Sequence, residues 1–187
     1  MRFYSSMPDE NFFVDKVFKW IVDVVVVIVL AMFCITFFCE QMKVSGNSMS
    51  DTLQGESTVL IDKFNYRLSS PDRYDVIAFS KSEMNVNLTK YIKRVIGLPG
   101  ETVLIRDNRI YVKGKELKHE KYDEAIVNAG VAGSEITLDY NEYFVLGDNV
   151  NSSEDSRSSA IGSIKKNEII GKVWFTAWPF EKIKTVK

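Results

Sequence analysis

Apolar and polar positions follow two different regimes along this chain. Through residues 20–39, WIVDVVVVIVLAMFCITFFC, apolar residues are nearly continuous. At about 1.5 Å per residue a helix of that length spans roughly 30 Å, the thickness of a bilayer core. The Val and Ile content would suit a strand, but soluble strands are far shorter. The run therefore predicts a transmembrane helix, with Asp23 close enough to its start to reach the headgroup layer. From residue 57 onward the pattern shifts to period two and to short apolar runs. Strands are predicted over STVLIDKF (57–64), YDVIAF (74–79), TKYIKRVI (89–96), TVLIR (102–106), RIYV (109–112), EYFVLGD (142–148) and KVWFTAWPF (172–180). Asp107-Asn108 predicts a hairpin turn between the fourth and fifth of these. SSPDR (69–73) and LPGE (98–101) read as turns, and 119–135 as a loop or short helix. The expected fold class is mainly β: one β-rich domain after one N-terminal transmembrane helix.

The boundaries that follow are a tail over 1–19, an anchor over 20–39 and a β-rich domain over 40–187. Arg2, Lys16 and Lys19 precede the run, and Lys43 stands alone soon after it. The positive-inside rule puts the tail in the cytoplasm and the β domain outside the cell membrane, a single-pass type II arrangement. A removable leader fits less well, because the run exceeds a usual apolar leader core and EQMKVSG offers no A-x-A-like cleavage site.

Composition narrows the chemistry. A net charge of -1 over 187 residues disfavours a nucleic-acid binder. Cys34 and Cys39 both fall in the apolar run and read as small apolar residues, not as a disulfide or metal ligands. No His/Cys spacing suits a metal and no glycine-rich loop suits a phosphate, so neither a metal nor a cofactor is expected. The single histidine, His119, lies in the solvated run KELKHEKYDE, a poor setting for a Ser-His-Asp triad. What remains is a serine activated by a lysine. A lysine in water titrates near 10.4 and is charged at neutral pH. Burial lowers that by about 3–5 units, which requires a dry apolar wall. Alternation in TKYIKRVI puts Tyr91 and Val95 on the face of Lys93. By pattern alone, a lysine that snorkels to water is the ordinary alternative.

Four stretches in this order and spacing resemble the characteristic boxes of type I signal peptidases, in particular the short, single-anchor Gram-positive type. SGNSMSDTL (45–53) resembles the serine box, RYDVIAF (73–79) the next strand box, YIKRVIGLPGE (91–101) the lysine box and GDNVNSSEDSR (147–157) the closing box. The resemblance implies a signal-peptidase-like β domain that removes signal peptides by acyl transfer, with Ser48 as nucleophile and Lys93 as general base. It implies that Ser153 orients the lysine and that Asp155 and Arg157 brace the site together with Arg94. It implies that the backbone of Gly147 passes close to the lysine, and that the Ser48 N–H and position 46 hold the oxyanion. Gly46 offers no hydroxyl where some relatives carry serine. Val44, Leu53, Ala78, Tyr91 and Ile92 stand at positions that line shallow pockets for small residues at -1 and -3. Strand edges near 44–47 and 75–79 are expected to hold the extended substrate. The implied partners are exported preproteins, the lipid bilayer and the translocation machinery. A nucleophile just beyond the anchor confines both reactants to one thin layer, which raises their encounter frequency.

Two departures stand out. Asp51 replaces a proline usual in the serine box, and Val150 stands where arginine is common. A carboxylate near Lys93 would favour the ammonium form, so Asp51 is expected to point to solvent. A degenerate, non-catalytic binding or scaffold domain is the alternative reading. A self-cleaving repressor would need a DNA-binding segment in place of the anchor.

Overall fold

The computed structural model describes residues 10–83 and 87–186, leaving aside the side chains of 10–12, 34–37, 82–83 and 87–88. Residues 1–9 of the expected tail thus lie outside the described residues. The chain divides into two compact units, Met1–Phe38 and Cys39–Lys187.

The first unit contains α1, Glu10–Phe38. The helix begins well ahead of Trp20 because residues 10–19 contain neither glycine nor proline to stop it. Among the described residues no helix is long and apolar enough to cross a membrane. Lys16, Lys19 and Asp23 fall in the described turns of α1, while the side chains of residues 34–37 of the expected anchor lie outside the description.

The second unit is built from antiparallel strands. They are β1 (Cys39–Lys43), β2 (Thr58–Asp62), β3 (Val76–Glu83), β4 (Asn87–Gly97), β5 (Thr102–Arg106), β6 (Arg109–Val112), β7 (Lys115–Glu116), β8 (Ile136–Thr137), β9 (Glu142–Leu146), β10 (Ile164–Lys165), β11 (Ile169–Trp178) and β12 (Lys184–Thr185). The larger sheet runs β1-β2-β11-β3-β4-β9-β10, with β12 beside β11, and the smaller runs β7-β6-β5-β8. The β5–β6 hairpin turns at Asp107 and Asn108, both in the left-handed region, with φ of 51° and 61°. The region 119–135 holds two 3₁₀ turns, Glu120–Tyr122 and Gly130–Gly133.

β1 was not legible as a strand. CEQMK looks like the polar exit from the apolar run, and only pairing with β2, with Met42 opposite Val59, makes it one. Cys39 therefore opens a strand and does not close the helix, which ends at Phe38.

Two features of the larger sheet position the site. β3 and β4 form a long pair in which Ile77 faces Lys93 and Ala78 faces Ile92. Beneath β1 and β4 lies an apolar cluster that includes Val44, Met49, Leu53, Ala78 and Ile92. It seats the loop between β1 and β2.

Candidate active site

The loop after β1 is a compact turn. Backbone bonds run from the Ser50 N–H to the Asn47 carbonyl (3.1 Å), and from the Thr52 and Leu53 N–H groups to the Met49 carbonyl (2.9 and 2.6 Å). Met49 and Leu53, on the same side of this turn, are buried in the cluster below. Ser48, one residue ahead of the Met49 anchor, is thereby held at the surface of the core. Gly46 begins the turn with φ of +81°, and a Cβ there would meet no atom within 4 Å. Backbone conformation, not crowding, favours glycine at that position.

Lys93 arrives from β4. Its Nζ lies 2.6 Å from Ser48 Oγ. The side chain is buried, only 3% exposed, with Nζ 6.0 Å from the centre of the Tyr91 ring. Burial lowers its pKa to about 8. Asp155 and Glu154 pull in the opposite direction, toward the ammonium form, and Arg157 adds to the lowering. Arg157 also grips Asp155 directly, through Nε to Oδ1 (2.8 Å) and Nη2 to Oδ2 (2.9 Å). The carboxylate that would otherwise hold a proton on Lys93 is thus committed elsewhere.

The closing segment clamps the serine turn from the other side. The Asn149 N–H donates to the Ser48 carbonyl at 3.0 Å. Asn149 Nδ2 donates to Ser50 Oγ at 3.1 Å. Gly147 donates its N–H to Asp155 Oδ2 at 3.1 Å. A Cβ on Gly147 would overlap Ser153 Oγ and the Ser48 carbonyl oxygen. Only glycine permits this approach without displacing the Ser48 backbone.

The other named residues divide. Val44, Tyr91 and Ile92 line a cavity of about 120 Å³ together with Ser48 and Lys93. Leu53 and Ala78 lie in the core below it and do not line it. Ser153 Oγ is buried against Gly147 with no hydrogen-bond partner among the described residues, so no bond joins it to Lys93. Arg94 is not part of the Asp155–Arg157 brace. It pairs with Asp148, through Nε to Oδ1 (2.7 Å) and Nη2 to Oδ2 (2.6 Å), and donates to the Tyr74 carbonyl at 2.8 Å. Thr52 Oγ1 also donates to Asp148. Sequence reasoning missed Asp148 and Thr52, although both lie inside quoted boxes, because nothing in the spacing says which carboxylate an internal arginine meets. Asp51 is exposed, and Val150 is buried beside Tyr122 and Ile126. A larger cavity of about 700 Å³ borders Ser153, Glu154 and Arg157, but neither Ser48 nor Lys93 lines it.

Half of the strand-edge expectation is overturned as well. The segment 75–79 is not a free edge, because β3 pairs with β4 on one side and β11 on the other. The open edges are elsewhere. β1 pairs only with β2, and β4 pairs with β9 only from Arg94 onward. Residues 42–45 and 90–93 face each other across the small cavity. Unladdered backbone on both sides of a slot is the geometry that accepts an added strand.

Fold and site together define a β-rich serine hydrolase in which the amine of a buried lysine lies beside a serine hydroxyl. The family described as signal peptidase, peptidase S26, matches residues 17–178, and the chain belongs to that family. A signal peptidase I of Bacillus licheniformis is 32% identical over 91% of this chain and 93% of its own length. A signal peptidase IB of Staphylococcus aureus (strain COL) is 30% identical over 90% of this chain and 93% of its own. The crystal structure of a signal peptidase I from Enterococcus faecalis V583 is 32% identical, covers 56% of this chain and 97% of that one, and has a TM-score of 0.45.

Proposed function

We propose that this chain removes signal peptides from exported preproteins, with Ser48 as nucleophile and Lys93 as general base. The observation that carries the reading is the 2.6 Å approach of a buried amine to a serine hydroxyl at the end of an open slot. Membership of the signal peptidase family supports the substrate class.

The substrate lies extended in the slot between β1 and β4. Neutral Lys93 takes the Ser48 proton as Oγ attacks the carbonyl of residue -1. The oxyanion is held by the Ser48 N–H and the backbone at Gly46, with no side-chain donor there. Lys93, now an ammonium, gives its proton to the departing amine, leaving an ester on Ser48. Water that loses a proton to Lys93 then attacks the ester, Lys93 passes that proton to the departing Ser48 Oγ, and the signal peptide is freed with both groups restored. Val44, Tyr91 and Ile92 bound the pockets for -1 and -3.

Residues 20–38 of the expected 20–39 anchor serve as the anchor in this reading, 1–19 as the cytoplasmic tail and 39–187 as the extracytoplasmic catalytic domain, since Cys39 opens β1. The exposed apolar side chains of α1, among them Val25, Val27, Ile28 and Leu30, support a lipid environment. The bilayer and the translocation machinery are then partners beside the preprotein.

The test is cleavage of a model preprotein by the full chain in lipid vesicles, with the new N-terminus read by mass. In this reading the cavity of about 120 Å³ is shared by the -1 and -3 side chains, so two small residues fit together where a leucine at -1 would take most of the space. Alanine to leucine at -1 is expected to lower kcat/KM by about 10²-fold, the scale set by crowding a small pocket. Equal cleavage of both substrates would remove the pocket assignment.

Acidity gives a second readout. Only neutral Lys93 can accept the serine proton, and its pKa is about 8. kcat/KM is expected to rise with pH, nearly tenfold per unit at first, and to level off above about 8. A flat profile between pH 6 and 9 would exclude Lys93 as the base.

A further inference from the structure

Where the apolar floor of the slot ends, an ion pair begins. Along β1 and the residue that follows it, the inward stripe runs Val44, Met42, Glu40, its members more buried than Gln41 and Lys43 between them. On β4 the corresponding stripe runs Ile92, Lys90. Lys90 Nζ reaches across the slot to Glu40 Oε1 at 2.8 Å. Lys63, just after β2, stands 3.5 Å from Glu40 Oε2. The hydrogen bond from Lys90 holds the Glu40 carboxyl below the ordinary carboxylate range. Two ammonium groups share one carboxylate, so the cluster keeps an excess positive charge.

Position is the decisive point. No ladder joins β1 to β4 among the described residues, yet this side-chain pair bridges them. An extended strand in the slot points every second side chain at the floor. With -1 and -3 over the apolar part, the next floor-facing residue is -5. It lies about 13 Å upstream of -1 at roughly 3.3 Å per residue. Along β4, the three steps from Lys93 to Lys90 cover about 10 Å of the same path. An ion pair there is disrupted or joined by whatever side chain stands at -5.

We infer that Glu40, Lys90 and Lys63 form a charged subsite that reads substrate residue -5 and favours an acidic over a basic side chain. The inference rests on the slot reading above and adds a specificity determinant to it. The incoming carboxylate takes a lysine that Glu40 can share. An incoming ammonium meets two like charges and only one carboxylate already engaged.

The experiment compares preproteins that differ only at -5, Asp against Lys, with the full chain in neutral lipid vesicles at low salt. Each protein is judged by its own Asp/Lys ratio of kcat/KM, so a general change in activity does not enter. The wild type is expected to favour Asp by about fivefold, the scale of partly exposed ion pairs. Lys90→Glu is expected to invert the order, Lys63→Gln to weaken it, and 0.5 M salt to flatten it. A wild-type ratio of one, or the same ratio in wild type and Lys90→Glu, overturns the subsite and leaves the peptidase reading intact. Failure of the wild type to cut any of these preproteins, including one with Ala at -5, overturns the peptidase reading itself.

Discussion

Ser48→Ala in the full chain is expected to lower preprotein cleavage by at least about 10³-fold, and Lys93→Met by a similar factor. The double variant is expected to be no worse than either single one, because the two groups act as a unit: without the base the hydroxyl keeps its proton, and without the hydroxyl the base has nothing to activate. Lys93→Arg should fail as well, since a guanidinium does not give up its proton in this range. Stability is expected to move the other way. Holding Lys93 at about 8 against an ordinary 10.5 corresponds to about 3 kcal/mol of opposition to folding when the amine is charged. The unfolded chain binds the proton more tightly, so this penalty is fully present below pH 8 and fades as pH rises through the unfolded value. Lys93→Met should therefore unfold at a higher urea concentration than wild type at pH 7, with the gap closing toward pH 10.5. A Lys93→Met protein that still cut the preprotein would end the dyad assignment.

The second large effect belongs to a pair outside the dyad. Arg94 and Asp148 are each 1% exposed. Asp148 accepts two bonds from Arg94, another from Thr52, and a long one of 3.4 Å from the Tyr122 hydroxyl. Removing one member of such a pair leaves an uncompensated buried charge, a loss of about 3–5 kcal/mol. Asp148→Ala and Arg94→Met are each expected to shift urea unfolding by that amount. The double variant should lose less than the sum, because neither charge is then stranded. Additive losses would mean the two groups do not depend on one another. Activity at a permissive temperature should also drop in Asp148→Ala. Asp148 lies between Gly147, which abuts the Ser48 carbonyl, and Asn149, which bonds it.

A scaffold role drew its support from Asp51. That carboxylate is exposed, and its backbone carbonyl, not the carboxylate, accepts from Lys121 Nζ at 3.5 Å. The turn that a proline would have stiffened is held by other means: the buried Met49 and Leu53, and the Asn149–Ser50 bond. Val150 likewise places an apolar side chain in the core, while its carbonyl accepts from Arg157.

Local pattern carried much of the fold. Alternation in TVLIR and RIYV, with two residues tolerant of left-handed backbone between them, determined the β5–β6 hairpin. TKYIKRVI placed Lys93 on a strand next to Tyr91 and Val95, and the boxes named Ser48 as its counterpart. These features depend on neighbours in the chain, whose periodicity and turn chemistry are written in consecutive residues. Tertiary structure alone decided the rest. CEQMK became a strand because β2 lies beside it. Arg94 met Asp148 and not Asp155, Leu53 and Ala78 went into the core and not to the pocket wall, and β3 lost both its edges to β4 and β11. Each outcome turns on residues far apart in sequence, where the geometry of sheet closure, and not the chemistry of any one segment, selects the partner.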